Sequence, residues 1–210
     1  MHANRSLIRR TTALAAAVTA ALVLAACGGT SDGAAGHGGG HDAPAAPTAP
    51  APSGTAAHNT ADTAFAQGML PHHRQALEMA SLAATRAESA EVKTLADEIR
   101  KAQDPEIKTL TGWLTSWGEQ VPPAEGGGHA GHAMSGMMSG AEMDQLTKAS
   151  GKAFDTAFLQ LMVKHHEGAV AMAKTERADG AYQPAKDMAA AIVASQSAEI
   201  TRMNGLLGKN

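Results

Sequence analysis

The chain has 210 residues, with 17 Lys or Arg against 20 Asp or Glu and a formal net charge of −3 at neutral pH. That balance argues against a nucleic-acid partner, which needs a basic face. A single cysteine excludes an internal disulfide framework, so soft metal ligands have to come from the 11 methionines.

The N-terminus carries Arg5, Arg9 and Arg10 without an acid, then an apolar run over residues 13–25, then Leu24-Ala25-Ala26-Cys27. A basic head, a short apolar stretch and a small-residue cleavage site form a secretory signal, too short for a comfortable membrane span. Cys27 stands where a bacterial lipobox places the residue that becomes the lipidated N-terminus. Residues 1–27 are therefore expected to be a lipoprotein signal peptide for general secretion, and lipidation of Cys27 would consume the only thiol. Removing the signal leaves 14 basic residues against 20 acidic ones, a net −6. Residues 28–60 are rich in Gly, Ala and Pro, with His37, His41 and His58 interspersed, and read as a disordered tether.

What remains, residues 61–208, contains a duplication. At an offset of 93 residues, positions 62–80 lie over positions 155–173 with eleven of nineteen identical and no gap. The same offset aligns Gln103-x-x-Glu106-Ile107 with Gln196-x-x-Glu199-Ile200 and Gly112-Trp113-Leu114 with Gly205-Leu206-Leu207. Repeat one spans 62–118, a Met/His-rich connector 119–140, and repeat two 141–208. Apolar residues recur at three and four, and strong helix formers dominate. Helices are expected over 62–87, 91–118, 152–178 and 184–207, with a short extra one at 141–150. Asp62 and Asp155 are the expected N-caps, and Asp179-Gly180 and Gly208 the stops. Pro71 should bend the first helix just before its His pair. Two hairpins that each expose an apolar stripe bury it against one another, which predicts an all-α, antiparallel four-helix bundle.

The stripe of the first helix carries chemistry. At about 100° per residue, Met69, His72, His73, Ala76, Met79 and Ala80 fall within roughly 120° of Phe65 and of one another. Met162, His165, His166 and Met172 repeat the pattern. Along the axis Met69 lies about 6 Å from His73, whereas His72 lies about 10.5 Å from Met79, so one ion can take Met69 with His72 or His73. Thioether and neutral imidazole suit copper, Cu(I) above all and Cu(II) also, and do not suit Mg, Ca or Mn. A structural zinc site would show thiolates. A diiron site needs Glu three residues before each His, where Met69, Leu70, Met162 and Val163 stand. Methionine at helical spacing is more often core, and that weight falls on Met79 and Met172. Two adjacent His pairs are costly to bury without a purpose. Gln103, Glu106, Gln196 and Glu199 are the polar exceptions on the partner helices. They either contact the His rings from behind or lie on the surface.

The connector strings His129, His132, Met134, Met137 and Met138 through Gly and Ser, and Met143 follows. Nothing there can build a core, so these residues read as a secondary, weaker metal site that is disordered when empty. Imidazole must be neutral to bind a metal, so acidification toward about pH 5 should weaken histidine sites more than thioether ones.

The repeated Asp-x-x-Phe-x-x-x-Met-x-x-His-His-x-x-Ala-x-x-Met-Ala, followed by Gln-x-x-Glu-Ile, resembles the domain of unknown function 305 family over residues 61–208. That family includes CopM-like copper-binding proteins with a ferritin-like four-helix fold. The resemblance implies copper binding through Met69, His72, His73, Met79, Met162, His165, His166 and Met172. No nucleophile with a base and no phosphate loop can be named, so a non-enzymatic role is expected. The reading is an extracytoplasmic lipoprotein, anchored to the membrane through Cys27, that sequesters, buffers or passes copper to an acceptor protein. The alternative is a metal- or haem-dependent redox protein on the same bundle, with one His and one Met as axial ligands.

Overall fold

The computed structural model describes residues 57–124 and 135–209. The signal with Cys27, nearly all of the tether, and connector residues His129, His132 and Met134 lie outside them. Among the described residues the chain is all-α, with five helices and no strand: α1 (Thr60–Arg86), α2 (Ala90–Trp117), α3 (Gly140–Lys148), α4 (Gly151–Asp179) and α5 (Gln183–Leu206). None of these helices is long and apolar enough to cross a membrane.

The first helix starts earlier than Asp62. Asn59 is its N-cap, accepting from the Ala61 and Asp62 N–H groups, and the Asp62 carboxylate returns to the Asn59 N–H in a capping box. In α4 the N-cap is Ser150, and Asp155 lies inside the helix. The expectation that Asp62 and Asp155 are N-caps of their own helices is thus corrected. Asp155 accepts from the Glu88 and Ser89 N–H groups at 3.1 and 2.8 Å, in the turn that opens α2. Asp62 accepts from Ala181 and Tyr182, in the turn that opens α5. At the 93-residue offset these turns are equivalent, so each repeat closes the other's hairpin. Sequence reasoning missed this because an Asp before an apolar run looks the same whether it caps its own helix or a neighbour's turn.

These ties place the start of α1 beside the end of α4, and the end of α1 beside the start of α4, so the two helices run antiparallel. Helix α2 packs on α1, and α5 on α4. Both helices with internal prolines continue without interruption through Pro71 and Pro105. Gly118 ends α2 in the left-handed conformation, φ 72°, which glycine adopts without the Cβ penalty.

The core divides into two apolar clusters. One gathers Met79, Leu95, Ile99, Phe154, Phe158 and Met162. The other gathers Phe65, Met69, Leu70, Leu110, Leu114 and Ile192. Along α1 the chain passes from the second cluster through His72-His73 to the first. Along α4 it passes from the first through His165-His166 to the second. The four histidines therefore form a polar layer between two dry ones.

Candidate metal centre

All four histidine side chains are fully buried. The rings of His72 and His165, one from each repeat, lie 3.7 Å apart between centroids at an interplanar angle of 42°. Neither ring nitrogen of either residue has a hydrogen-bond partner of normal geometry. His73 and His166 are held differently. The Nε2 of His73 lies 2.6 Å from Glu106 Oε2, and that of His166 2.5 Å from Glu199 Oε2, while both Nδ1 atoms are unpartnered. Gln103 and Gln196, one turn before those glutamates, are buried with unpartnered amide oxygens. Glu106 and Glu199 are half-buried contacts of the histidines rather than free surface residues.

Burial, reinforced by the neighbouring His73, pulls the His72 imidazole from its ordinary 6.5 to about 3. Burial likewise holds His165 well below that value, and His72 adds to the effect. Both rings are therefore neutral at pH 7, and His72 stays so through pH 5. The acid sensitivity expected near pH 5 for ordinary imidazoles is moved lower for this pair. A neutral imidazole with a free lone pair is the state that binds a transition metal.

Met69 and Met162 are fully buried one helical turn before the His pairs, in opposite apolar clusters. Met79 is fully buried among Phe154 and Phe158, and Met172 is half-buried against the cluster that contains Phe65. Of the connector residues that are described, Met138 is buried and Met137 half-buried. Among the described residues no three His, Cys, Asp or Glu converge as a ready metal cage. What the layer offers is six unpartnered imidazole nitrogens around one cross-repeat ring pair. The His72–His165 pairing was not legible in the sequence, since helical arithmetic gives spacing along one helix and not partners across two.

The fold and this layer define a helical protein with a duplicated histidine core. Residues 62–207 match the model of the domain of unknown function 305 (DUF305) family, and the chain belongs to that family. It is similar to a DUF305 protein from Streptomyces coelicolor described as secreted, at 35% identity and a TM-score of 0.64, covering 71% of this chain and 93% of that one. A DUF305 fragment from Deinococcus radiodurans is 33% identical with a TM-score of 0.65, covering 72% of this chain and 98% of that one. CopM in its Cu(II)-bound form is 36% identical with a TM-score of 0.61, covering 69% of this chain and 94% of that one. CopM has also been solved with Cu(I) and with Ag. No curated protein matches the chain.

Proposed function

We propose that this chain is an extracytoplasmic, lipid-anchored copper-binding protein that sequesters, buffers or hands on copper and catalyses no reaction. On this reading its four long helices form a ferritin-like antiparallel bundle. His72 and His165 are the central ligands, with His73 and His166 turned by Glu106 and Glu199. Met69 and Met162 supply soft donors from either side, and Met79 and Met172 complete the eight-residue set. Cys27 carries the lipid, and a protein partner accepts the metal.

The observation that carries the reading is the unsatisfied histidine layer. Each buried polar group without a partner costs about 1–3 kcal/mol, so a layer serving only packing would be better filled by leucine. Imidazole with thioether selects copper over hard cations. The likeness to CopM, solved with Cu(II) and Cu(I), supports the same choice of metal. Competition titration against a Cu(I) chelator tests it. Replacing His72, His73, His165 and His166 together by Ala should abolish the tightest binding, and unchanged affinity in that variant would sink the proposal. For the anchor, Cys27→Ser should release the protein from membranes without unfolding it, and a variant still bound to membranes would refute lipidation at this residue.

A further inference from the structure

Beside the histidine layer a cleft of about 440 Å³ opens against α1. Its walls include Arg74, Gln75 and Glu78 of α1, Met137 and Met138 of the connector, and Met143 of α3. Three of the eleven methionines thus line one cleft, apart from the four in the helical His/Met motifs. Met138 is buried in the apolar cluster, and Met137 and Met143 are half-buried at the cleft.

The strap that carries Met137 and Met138 is fixed at two points. Gln75 donates its Nε2 to the Met138 carbonyl at 3.0 Å and accepts the Met138 N–H on its Oε1 at 2.7 Å. At its other end, Ser135-Gly136 presses on α4. Gly136 has φ 85°, and a Cβ there would lie 2.8 Å from the Gly168 Cα and from the Lys164 carbonyl oxygen. A Cβ on Gly168 would in turn lie 2.6 Å from the Ser135 carbonyl carbon. Gly168 is the 93-residue counterpart of Gln75. The duplicated position has become a clamp on one helix and a bare seat on the other, and both hold the same strap.

The expectation of a connector disordered when empty therefore fails for residues 135–138. Fixing them in advance removes the conformational entropy that a free chain of methionines would lose on wrapping an ion. The nearby cation is already engaged, because the Arg74 guanidinium donates to the Pro122 and Pro123 carbonyls at 2.8 and 2.9 Å. Glu78 supplies a negative charge on the same wall.

We propose that Met137, Met138 and Met143 form a second, preorganised thioether site for a soft monovalent ion, Cu(I) or Ag(I), distinct from the histidine layer. The choice of ion rests on the copper reading above. Thioethers need no deprotonation and bind soft ions weakly enough to release them, which suits a receiving station next to a tighter centre. The test is a silver nitrate titration of the full chain in detergent with methionine methyl groups labelled by carbon-13 and assigned by single Leu variants. The Met137 and Met143 signals should move, and Met137→Leu with Met143→Leu should bind one silver ion fewer. Leucine nearly conserves volume at these half-buried positions, circular dichroism checks folding, and the methyl readout on the unmutated chain needs no double variant. Unmoved Met137 and Met143 signals, or a full count in the double variant, would overturn the proposal. His72→Ala with His165→Ala should keep the thioether shifts while losing an ion. Kept shifts with no ion lost would refute the histidine reading alone, and shifts abolished by that variant would refute an independent thioether site.

Discussion

Replacing Glu176 by Gln should stabilise the protein at neutral pH and remove part of its pH dependence. Glu176 is 1% exposed, and neither carboxyl oxygen has a hydrogen-bond partner of normal geometry. Burial, with Asp62 alongside, raises its pKa from the ordinary 4.5 to about 8. Asp179 adds to the shift and Lys186 opposes it. Asp62 does not take up the proton. Burial works to raise its carboxyl, but hydrogen bonds led by that of the Asn59 N–H outweigh this and hold it below the ordinary 3.8. The sign for Glu176 follows from proton counts. Below pH 4.5 the side chain is protonated in both folded and unfolded chains, and its contribution is at its best. Between pH 4.5 and 8 the unfolded chain gives up the proton while the folded one keeps it, so stability falls by about 1.4 kcal/mol per pH unit. Above pH 8 the loss levels off. These two pKa values set a ceiling near 5 kcal/mol over the whole window and near 3 kcal/mol at pH 7. Glutamine keeps the shape and is neutral throughout. Urea unfolding followed by circular dichroism, on both proteins at pH 5, 6, 7 and 8, reads the difference and cancels the other titrating groups. The advantage of Glu176→Gln should grow steadily across the series. Parallel stability curves would show that Glu176 titrates normally and would refute the reasoning.

Three other variants have expected signs. Gly168→Ala replaces glycine inside a helix, a change normally worth up to about 1 kcal/mol of added stability. Overlap with the Ser135 backbone should reverse this to a loss of about 1–3 kcal/mol and speed hydrogen exchange at the Met138 amide, so a gain in melting temperature would refute the seat. Asp155→Ala leaves the Glu88 and Ser89 N–H groups without their acceptor and should cost about 2 kcal/mol in chemical unfolding. Loss of stability below about 0.5 kcal/mol would show the tie to be ornamental. His72→Leu with His165→Leu should raise metal-free stability by about 2 kcal/mol or more, since four unpartnered ring nitrogens leave the core, while copper affinity falls. A destabilised metal-free variant would mean that the rings are satisfied as they stand.

The helices were legible because their apolar residues keep a 3.6-residue period twice over in the same register. The buried stripe from Phe65 to Ala80 followed from that period alone, down to the inclusion of both histidines. The cross-helix relations were not legible. Nothing in the spacing of His72 points to His165 rather than to Met69, because the partner is chosen by the antiparallel pairing of α1 with α4. Asp62 and Asp155 look like local caps because their neighbours in sequence look like helix starts. Their acceptor role in the opposite hairpin depends on contacts more than sixty residues away. Gln75 and Gly168 carry no signal in the sequence, because a polar residue and a glycine at equivalent positions look like ordinary drift without the strap between them.

The reciprocal aspartate ties give the chain the geometry of an isologous homodimer joined end to end, with each half supplying to the other what it receives. In a true homodimer every substitution appears twice, so a glutamine clamp facing a glycine seat could not exist: both sides would be clamps or both seats. Fusion of the halves into one polypeptide frees equivalent positions to part company. Gln75 and Gly168 have done so, as have Ala83 and Glu176. A single strap can lie across only one face of a two-fold layer. Its place here, between Gln75 on one helix and Gly168 on the other, is therefore a record of lost symmetry.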